Sequence, residues 1–263
     1  MRIAAVGDNC IDEYFRTNQL YPGGNAVNVS VYVARMGYRA SYVGVVGDDP
    51  NGELIRRALE RKGVDLSHLH TSPGKTAVTK VELREGERVF RGYDEGVLAG
   101  FRLTEEDLSF LQEHDLVATA LWGRIEKDLP RLKQRGIPTA FDFGDKYGSA
   151  VVDVAIPWVE YAFFSAEGLR EGEIEPFLKE MKARGPKIVT VTQGERGSTA
   201  FDGGKFVRCG IVPCDVVDTM GAGDSFIAGF LVSLLEGKPL KECMEKGAQS
   251  SSMTLQYFGA WEP

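Results

Sequence analysis

Residues 218–226 read Asp-Thr-Met-Gly-Ala-Gly-Asp-Ser-Phe, and they put three small residues directly before a carboxylate at the start of an apolar helical pattern. Phe226, Ile227, Phe230, Leu231, Leu234 and Leu235 recur at helical spacing until Gly237, while residues 214–217 read as the end of a strand. Gly221, Ala222 and Gly223 therefore fall on a strand-to-helix turn. There the unpaired N–H groups of a first helical turn and the helix dipole attract an anion. A carboxylate beside a phosphate is repelled by it, so Asp224 needs another use: a general base for a hydroxyl that attacks phosphorus. A helix cap after a glycine turn is the plainer alternative.

A second glycine pair, Gly23-Gly24, opens another helical pattern whose Asn25 and Asn28 are three residues apart and share a face. Two neutral amides displayed together offer donors and acceptors to the hydroxyls of a polyol, although an Asn helix cap would look the same. Gly7 to Asp12 follows the first apolar run, at the end of a strand where open α/β sheets place their ligands. Asp8 and Asp12 are candidates for further hydroxyls, with a solvated acidic turn as the alternative.

These segments need a frame to hold them. Strand-like runs at 3–6, 41–46, 115–120, 139–143, 161–165 and 188–192 alternate with helical patterns at 25–36, 52–62, 127–134 and 173–183. The alternation predicts an α/β fold with a doubly wound, mainly parallel sheet flanked by helices, forming a single domain over 1–263. Two β-rich runs at 76–83 and 88–93, around Arg84-Glu85-Gly86-Glu87, break the rhythm. They predict an antiparallel hairpin, either a lid inserted at about 74–100 or a sheet edge. Thr104-Glu105-Glu106-Asp107 reads as a helix start, with Asp where a capping box prefers Glu.

The chain has 263 residues, 38 acidic against 31 basic, and a net charge of −7 with no Lys/Arg-rich run, which disfavours nucleic acid as a partner. Four scattered cysteines without a CxxC pair and only three histidines argue against a disulfide framework or a structural zinc. No apolar run approaches membrane-spanning length and no signal segment is evident, so the expectation is a cytoplasmic protein without a membrane partner. No Gly-x-x-x-x-Gly-Lys-[Ser/Thr] occurs, and Gly7-Asp8-Asn9 stands where a dinucleotide-binding Gly-x-Gly-x-x-Gly would follow the first strand. Both P-loop and Rossmann enzymes are thereby disfavoured.

Gly24-Asn25-x-x-Asn28, Thr192-Gln193-Gly194-Glu195-Arg196-Gly197 and Asp218-Thr219-x-Gly221-Ala222-Gly223-Asp224 together resemble the ribokinase-like (PfkB) carbohydrate kinases, and the resemblance runs along essentially the whole chain. It implies a ribokinase-like fold, ATP and Mg²⁺ as cofactors and a sugar substrate. The hairpin at 76–93 is in turn expected to act as a small β lid that covers the sugar and joins its counterpart in a homodimer, because lids exclude water from phosphoryl transfer and lone hairpins are marginally stable. By position, the resemblance implies Asp224 as base, with Gly221, Ala222 and Gly223 as the anion hole. Asp12, Gly24, Asn25 and Asn28 match sugar-binding positions, and Thr192, Gly194 and Gly197 match the turn along the nucleotide. Lys146 falls where many members place a basic residue near the phosphates, and Asp218 where many hold a monovalent cation such as K⁺. Many members carry Asn-x-x-Glu after the strand that here ends at Ser165; this chain has Ser165-Ala166-Glu167-Gly168, leaving Glu167 as the substitute in supporting Mg²⁺.

Within the family, Gly7-Asp8-Asn9-Cys10, Glu82, Arg88-Val89-Phe90, Glu95-Gly96-Val97, Trp122-Gly123, Phe141-Asp142-Phe143, Gln256-Tyr257 and Gly259-Ala260-Trp261 are similar to members that phosphorylate fructosamines. The implied reaction is transfer to the 6-hydroxyl of fructoselysine or a similar fructosamine. Glu95 and Trp122 then become candidates for substrate binding; Glu82, Asp94 and Glu126 could also face the fructosamine nitrogen, and Arg124 a carboxylate. Kinases for another sugar or nucleoside, such as fructose or ribose, and a sugar-sensing protein of the same fold without turnover, remain the alternatives.

Overall fold

The computed structural model describes residues 1–14, 19–84 and 87–261. The chain begins with β1 (Arg2–Val6), β2 (Cys10–Tyr14), β3 (Gln19–Gly23), α1 (Asn25–Arg35), β4 (Arg39–Gly47), α2 (Pro50–Arg61) and β5 (Leu69–Ser72). It continues through β6 (Val78–Arg84), β7 (Glu87–Asp94), α3 (Glu105–Leu111), β8 (Leu116–Ala120), α4 (Leu129–Gln134), β9 (Thr139–Asp142), α5 (Ala150–Ala155), β10 (Tyr161–Ser165) and α6 (Glu171–Ala183). It ends with β11 (Ile188–Thr192), β12 (Ser198–Phe201), β13 (Phe206–Cys209), α7 (Ala222–Leu235) and α8 (Leu240–Thr254).

Among the described residues the large sheet has nine strands in the order β13-β12-β11-β10-β9-β8-β1-β4-β5. From β11 to β5 every pairing is parallel, and β12 and β13 close one edge antiparallel. Alternation along β1 explains the layers: Ile3 and Ala5 join one core with α1, α2, α7 and α8, while Ala4 and Val6 join the other with α3, α4, α5 and α6. The doubly wound reading is therefore correct. Helix α7 is buried from Asp224 to Ser233, packed between α1 and α8. A helix apolar on all sides has no solvated face to offer, so the carboxylate in its first turn is buried with it.

The β-rich break at 76–93 is the hairpin β6–β7, with a register shift between Lys80 and Val81. It does not stand alone. Strand β2 pairs parallel with β6, from Ile11 opposite Val78 to Tyr14 opposite Val81, and antiparallel with β3, giving a four-stranded sheet in the order β3-β2-β6-β7. The segment beginning at Cys10, read as an acidic turn, is thus largely strand, recruited by a partner almost seventy residues away that no local pattern announces. The hairpin tip at Glu85 and Gly86 and the side chains of residues 83–90, including the Arg88-Val89-Phe90 motif, lie outside the described residues. Residues 96–100 leave the small sheet as a short 3₁₀ turn, and Leu98 is buried in the main core.

Residues 214–217, expected as strand, form irregular backbone with Val216 and Val217 exposed. Their β-branched side chains find no sheet to pair with, and the Val217 N–H instead donates to Leu255 O at 2.7 Å. Among the described residues no helix is long and apolar enough to cross a membrane.

Thr104 does open α3 with a capping box, its hydroxyl accepting the Asp107 N–H while Asp107 accepts the Thr104 N–H. Asp succeeds in place of Glu because its buried carboxylate is also bound by His68 Nδ1 at 2.8 Å and His70 Nε2 at 2.9 Å. Burial alone would raise this carboxyl, but the Thr104 amide and the two imidazoles outweigh it and hold it below its ordinary value. Asp107→Ala is expected to cost about 2 kcal/mol, through the lost cap and the two stranded histidines. The midpoint of urea unfolding should fall by the corresponding amount with little change in slope.

Candidate active site

The loop before α7 is pinned from both sides. Asp218 is buried, and its carboxylate accepts the Met220 N–H at 3.0 Å and the Gly259 N–H at 2.7 Å, tying the loop to the C-terminal segment. Gly221 has φ 75°, and a Cβ there would lie 2.4 Å from the Tyr32 hydroxyl. That hydroxyl donates to Ala260 O. The Ala222 N–H closes a turn on Thr219 O at 3.3 Å, and the Ala222 carbonyl accepts the Ser251 hydroxyl at 2.7 Å. Of the three small residues, Gly223 is the exposed one, with no heavy atom within 4 Å of where its Cβ would be. The open face of the helix N-terminus is at Gly223.

Asp224 follows, 7% exposed. Its Oδ1 accepts Asn25 Nδ2 at 2.8 Å and its Oδ2 accepts Asn28 Nδ2 at 2.7 Å. The two amides expected to meet a polyol thus share a helical face as the spacing required, but each turns an N–H toward the carboxylate. Asn28 is fixed further, because its Oδ1 accepts the Trp261 indole N–H at 2.8 Å. That bond settles which end of the amide faces Asp224. Asp8 is buried and accepts the backbone N–H groups of Asn25 at 2.6 Å and Ala26 at 3.3 Å, so its oxygens cap α1. Gly24, with φ 112°, lets the chain pass so closely that a Cβ would be 2.7 Å from Asn9 Cα.

Burial is the main force on Asp224; with Asp142 and Asp8 it raises the carboxyl from 3.8 to about 8, against the lowering effect of the Asn28 and Asn25 amides. Burial also raises Asp142 to about 6, with Asp8 and Asp145 adding to the rise and the Gly144 N–H opposing it. Asp142 and Asp224 line one cavity of about 10 Å³ together with Asn25 and Thr119, left open by Ala118, Ala120 and Ala140. A space of this size holds one water.

The remaining candidates sit around this centre. Asp12 on β2 is buried, with its carboxylate over Gly23, where a Cβ would be 2.8 Å from Asp12 Oδ2. Thr192 ends β11, and the turn after it is built on two left-handed glycines, Gly194 at φ 57° and Gly197 at φ 82°. A Cβ on Gly194 would approach Glu167 Oε1 to 3.0 Å and one on Gly197 would strike Cys209 O at 2.2 Å, so this turn lies against both Glu167 and the stretch leading to Asp218. Lys146 is exposed and paired with Asp145 at 2.9 Å. Glu82 is paired within the small sheet with Arg91 at 2.6 Å. Glu95 is paired with Arg124, and Trp122 is exposed against Tyr93. Trp261, Tyr32 and Ser251 were not among the expected site residues; a C-terminal Trp whose N–H must find a partner was the one signal available for Trp261.

A family profile described as pfkB family carbohydrate kinase matches residues 3–154 and 160–263. The chain belongs to this family. Fructoselysine 6-kinase of Escherichia coli strain K12 is 46% identical over 260 residues, covering 98% of this chain and 99% of its own length. A fructosamine kinase of Bacillus subtilis strain 168 is 36% identical over 265 residues, covering 99% and 93% respectively. The structure of Arabidopsis thaliana ribokinase complexed with ribose and ATP shares the fold at a TM-score of 0.90, over 98% of this chain and 94% of that one, with 24% sequence identity.

Gly221→Ala combines a left-handed φ with a contact that leaves no room for a methyl group. It should destabilise the fold by about 2–3 kcal/mol. Chemical denaturation would measure this, and Tyr32→Phe in the same background should recover part of the loss by removing the clashing oxygen.

Proposed function

We propose that this protein transfers the γ-phosphoryl group of ATP to the 6-hydroxyl of fructoselysine or a closely related fructosamine, with Asp224 as general base. The observation that carries the reaction is a buried carboxylate, raised to about 8, at the exposed N-terminus of α7. The substrate reading is supported by full-length identity to enzymes named for fructosamines. Asp224 takes the proton as the hydroxyl oxygen bonds to phosphorus and the bond to the ADP oxygen breaks. The Gly223 N–H and the helix dipole meet the charge developing on the phosphoryl oxygens, while Ala222, drawn toward Thr219, and Gly221 shape the loop. The Asn25 and Asn28 amides hold the base aimed, Gly24 opens their helix, and Asp8 just before β2 and Asp12 within it frame the sugar pocket.

We place the nucleotide along Thr192, Gly194 and Gly197, with Lys146 swinging from Asp145 to the phosphates. The exposed Ile211, Val212, Val216 and Val217 give an apolar surface beside that turn for a base. Mg²⁺ would come with the nucleotide phosphates, and Glu167, which lies against the Gly194 turn, is the carboxylate that would support it. The metal would neutralise phosphate charge. The hard carboxylate oxygens of Asp218 suit a K⁺ that stiffens the loop. The small sheet acts as a lid and, through the edges left by β3 and β7, joins a second copy in a homodimer, with sedimentation as the test. The free thiols of all four cysteines agree with a cytoplasmic setting.

Asp224→Asn should lower turnover by about two to four decades with nucleotide affinity nearly intact, as titration calorimetry would measure. Since only the ionised carboxylate accepts a proton, wild-type kcat/KM should decline as pH falls below about 8, by about tenfold per unit. Retention of more than about a tenth of turnover in Asp224→Asn, with chemistry rate-limiting, would remove the base from its role. An ATP-coupled panel of fructosamines, fructose, ribose and nucleosides, with the phosphorylated carbon located by NMR, tests the substrate. Preference for free fructose or ribose would point to another sugar, and no turnover on any of them to a sensor.

A further inference from the structure

Three features meet beside the Asp8 end of β1. The turn carrying Trp122 is pressed onto the strand end, since a Cβ on Gly7 would lie 2.4 Å from Gly123 Cα. The next residue, Arg124, is the one non-glycine among the described residues with a positive φ, at 60°. Its guanidinium reaches across to the small sheet and pairs with Glu95, just after β7. A half-exposed ion pair contributes little to stability, and a left-handed arginine costs the fold some of that. Such an arrangement persists where something besides stability needs it.

Next to the pair, Trp122 and Tyr93 are 49% and 40% exposed and meet edge to face, with ring centroids 6.1 Å apart. They form an apolar shelf with opposite charges at its side. Burial, then Asp8, Cys10 and Glu95, push the Tyr93 hydroxyl well above its ordinary value, which places this shelf in the field of the catalytic pocket.

We infer that Glu95 and Arg124 bind the zwitterionic end of the substrate's amino acid, Glu95 taking the α-ammonium and Arg124 the α-carboxylate, while Trp122 and Tyr93 carry the aliphatic stem. The inference rests on the fructosamine reading above. Paired as they are, the two side chains keep capacity for a ligand, because a guanidinium has five N–H donors and a carboxylate several acceptor positions. A free sugar carries no charge opposite to either. A lysine adduct offers both, at the end of four methylene groups that the aromatic edges can cover. Glu95 follows the small sheet and Arg124 the large one, so a ligand held by both would tie the lid to the rest of the site.

The test uses four acceptors: fructoselysine, the fructose adduct of cadaverine, which lacks the carboxylate, the adduct of 6-aminohexanoate, which lacks the ammonium, and fructose. Wild-type kcat/KM should fall about tenfold for each deleted charge. Arg124→Gln should erase the preference for fructoselysine over the cadaverine adduct while keeping that over the 6-aminohexanoate adduct, and Glu95→Gln should do the reverse. Arg124→Gly, which accepts φ 60° without strain, should behave as Arg124→Gln, and ratios between substrates are insensitive to loss of folded protein. Equal losses on all four acceptors would make the pair a structural brace and overturn the inference while leaving fructosamine phosphorylation in place. Wild-type protein that phosphorylates none of the three adducts would overturn both.

Discussion

A buried carboxylate held by two neutral amides is the constraint on which the rest of this structure depends. Asp224 sits in the first turn of a helix with no solvated face, and the groups that touch its oxygens are the Nδ2 atoms of Asn25 and Asn28. A lysine or arginine there would neutralise the charge and abolish its basicity; amides orient it and leave the proton affinity high. The cost falls on the fold, because ionising such a group between its ordinary value and about 8 disfavours the native state as pH rises through that window. Much of the surrounding architecture serves to hold that unfavourable charge in place.

The holding is done by close backbone approaches. Gly24 passes Asn9, Gly7 abuts Gly123 and Gly221 lies under Tyr32, each at a distance that excludes a side chain. Through these contacts α1, the end of β1, the turn after β8 and the loop before α7 are packed directly against one another. The C-terminal segment locks it from outside, with Gly259 on Asp218, Ala260 on Tyr32 and Trp261 on Asn28. A segment far along the chain thereby sets the direction of an amide near its beginning.

The small sheet stands in a different relation to the site. Its central strand β2 continues directly from the Gly7-Asp8-Asn9 turn, so any tilt of the sheet is transmitted to the residues that cap α1 and carry Asp12. Its far strand β7 runs into Glu95, which reaches back to Arg124 in the turn after β8. The small sheet is thus joined to the large one at both ends, by a continuous strand on one side and an ion pair on the other.

What the sequence determined was everything carried by short-range pattern. The alternation of apolar runs specified the doubly wound sheet, the glycine and asparagine spacings specified two helix starts that could hold an anion and a carboxylate, and residues 76–93 announced a hairpin. Periodicity and turn chemistry act over a few residues, so these were legible. The strand from Cys10, the edge strand β5 and the irregular backbone at 214–217 were not, because each depends on a partner well removed along the chain, and the short strands β12 and β13 and helix α8 carry too weak a local pattern to announce themselves. The same holds inside the site. Residue types named Asp224, Asn25 and Asn28, but only the packing of α1 against α7 turned the amides toward the carboxylate, assigned Asp8 to a helix end and brought Trp261 to Asn28. Hydrogen-bond direction and proton affinity are set by burial and by neighbours in space, and for these residues most of those neighbours lie many residues away along the chain.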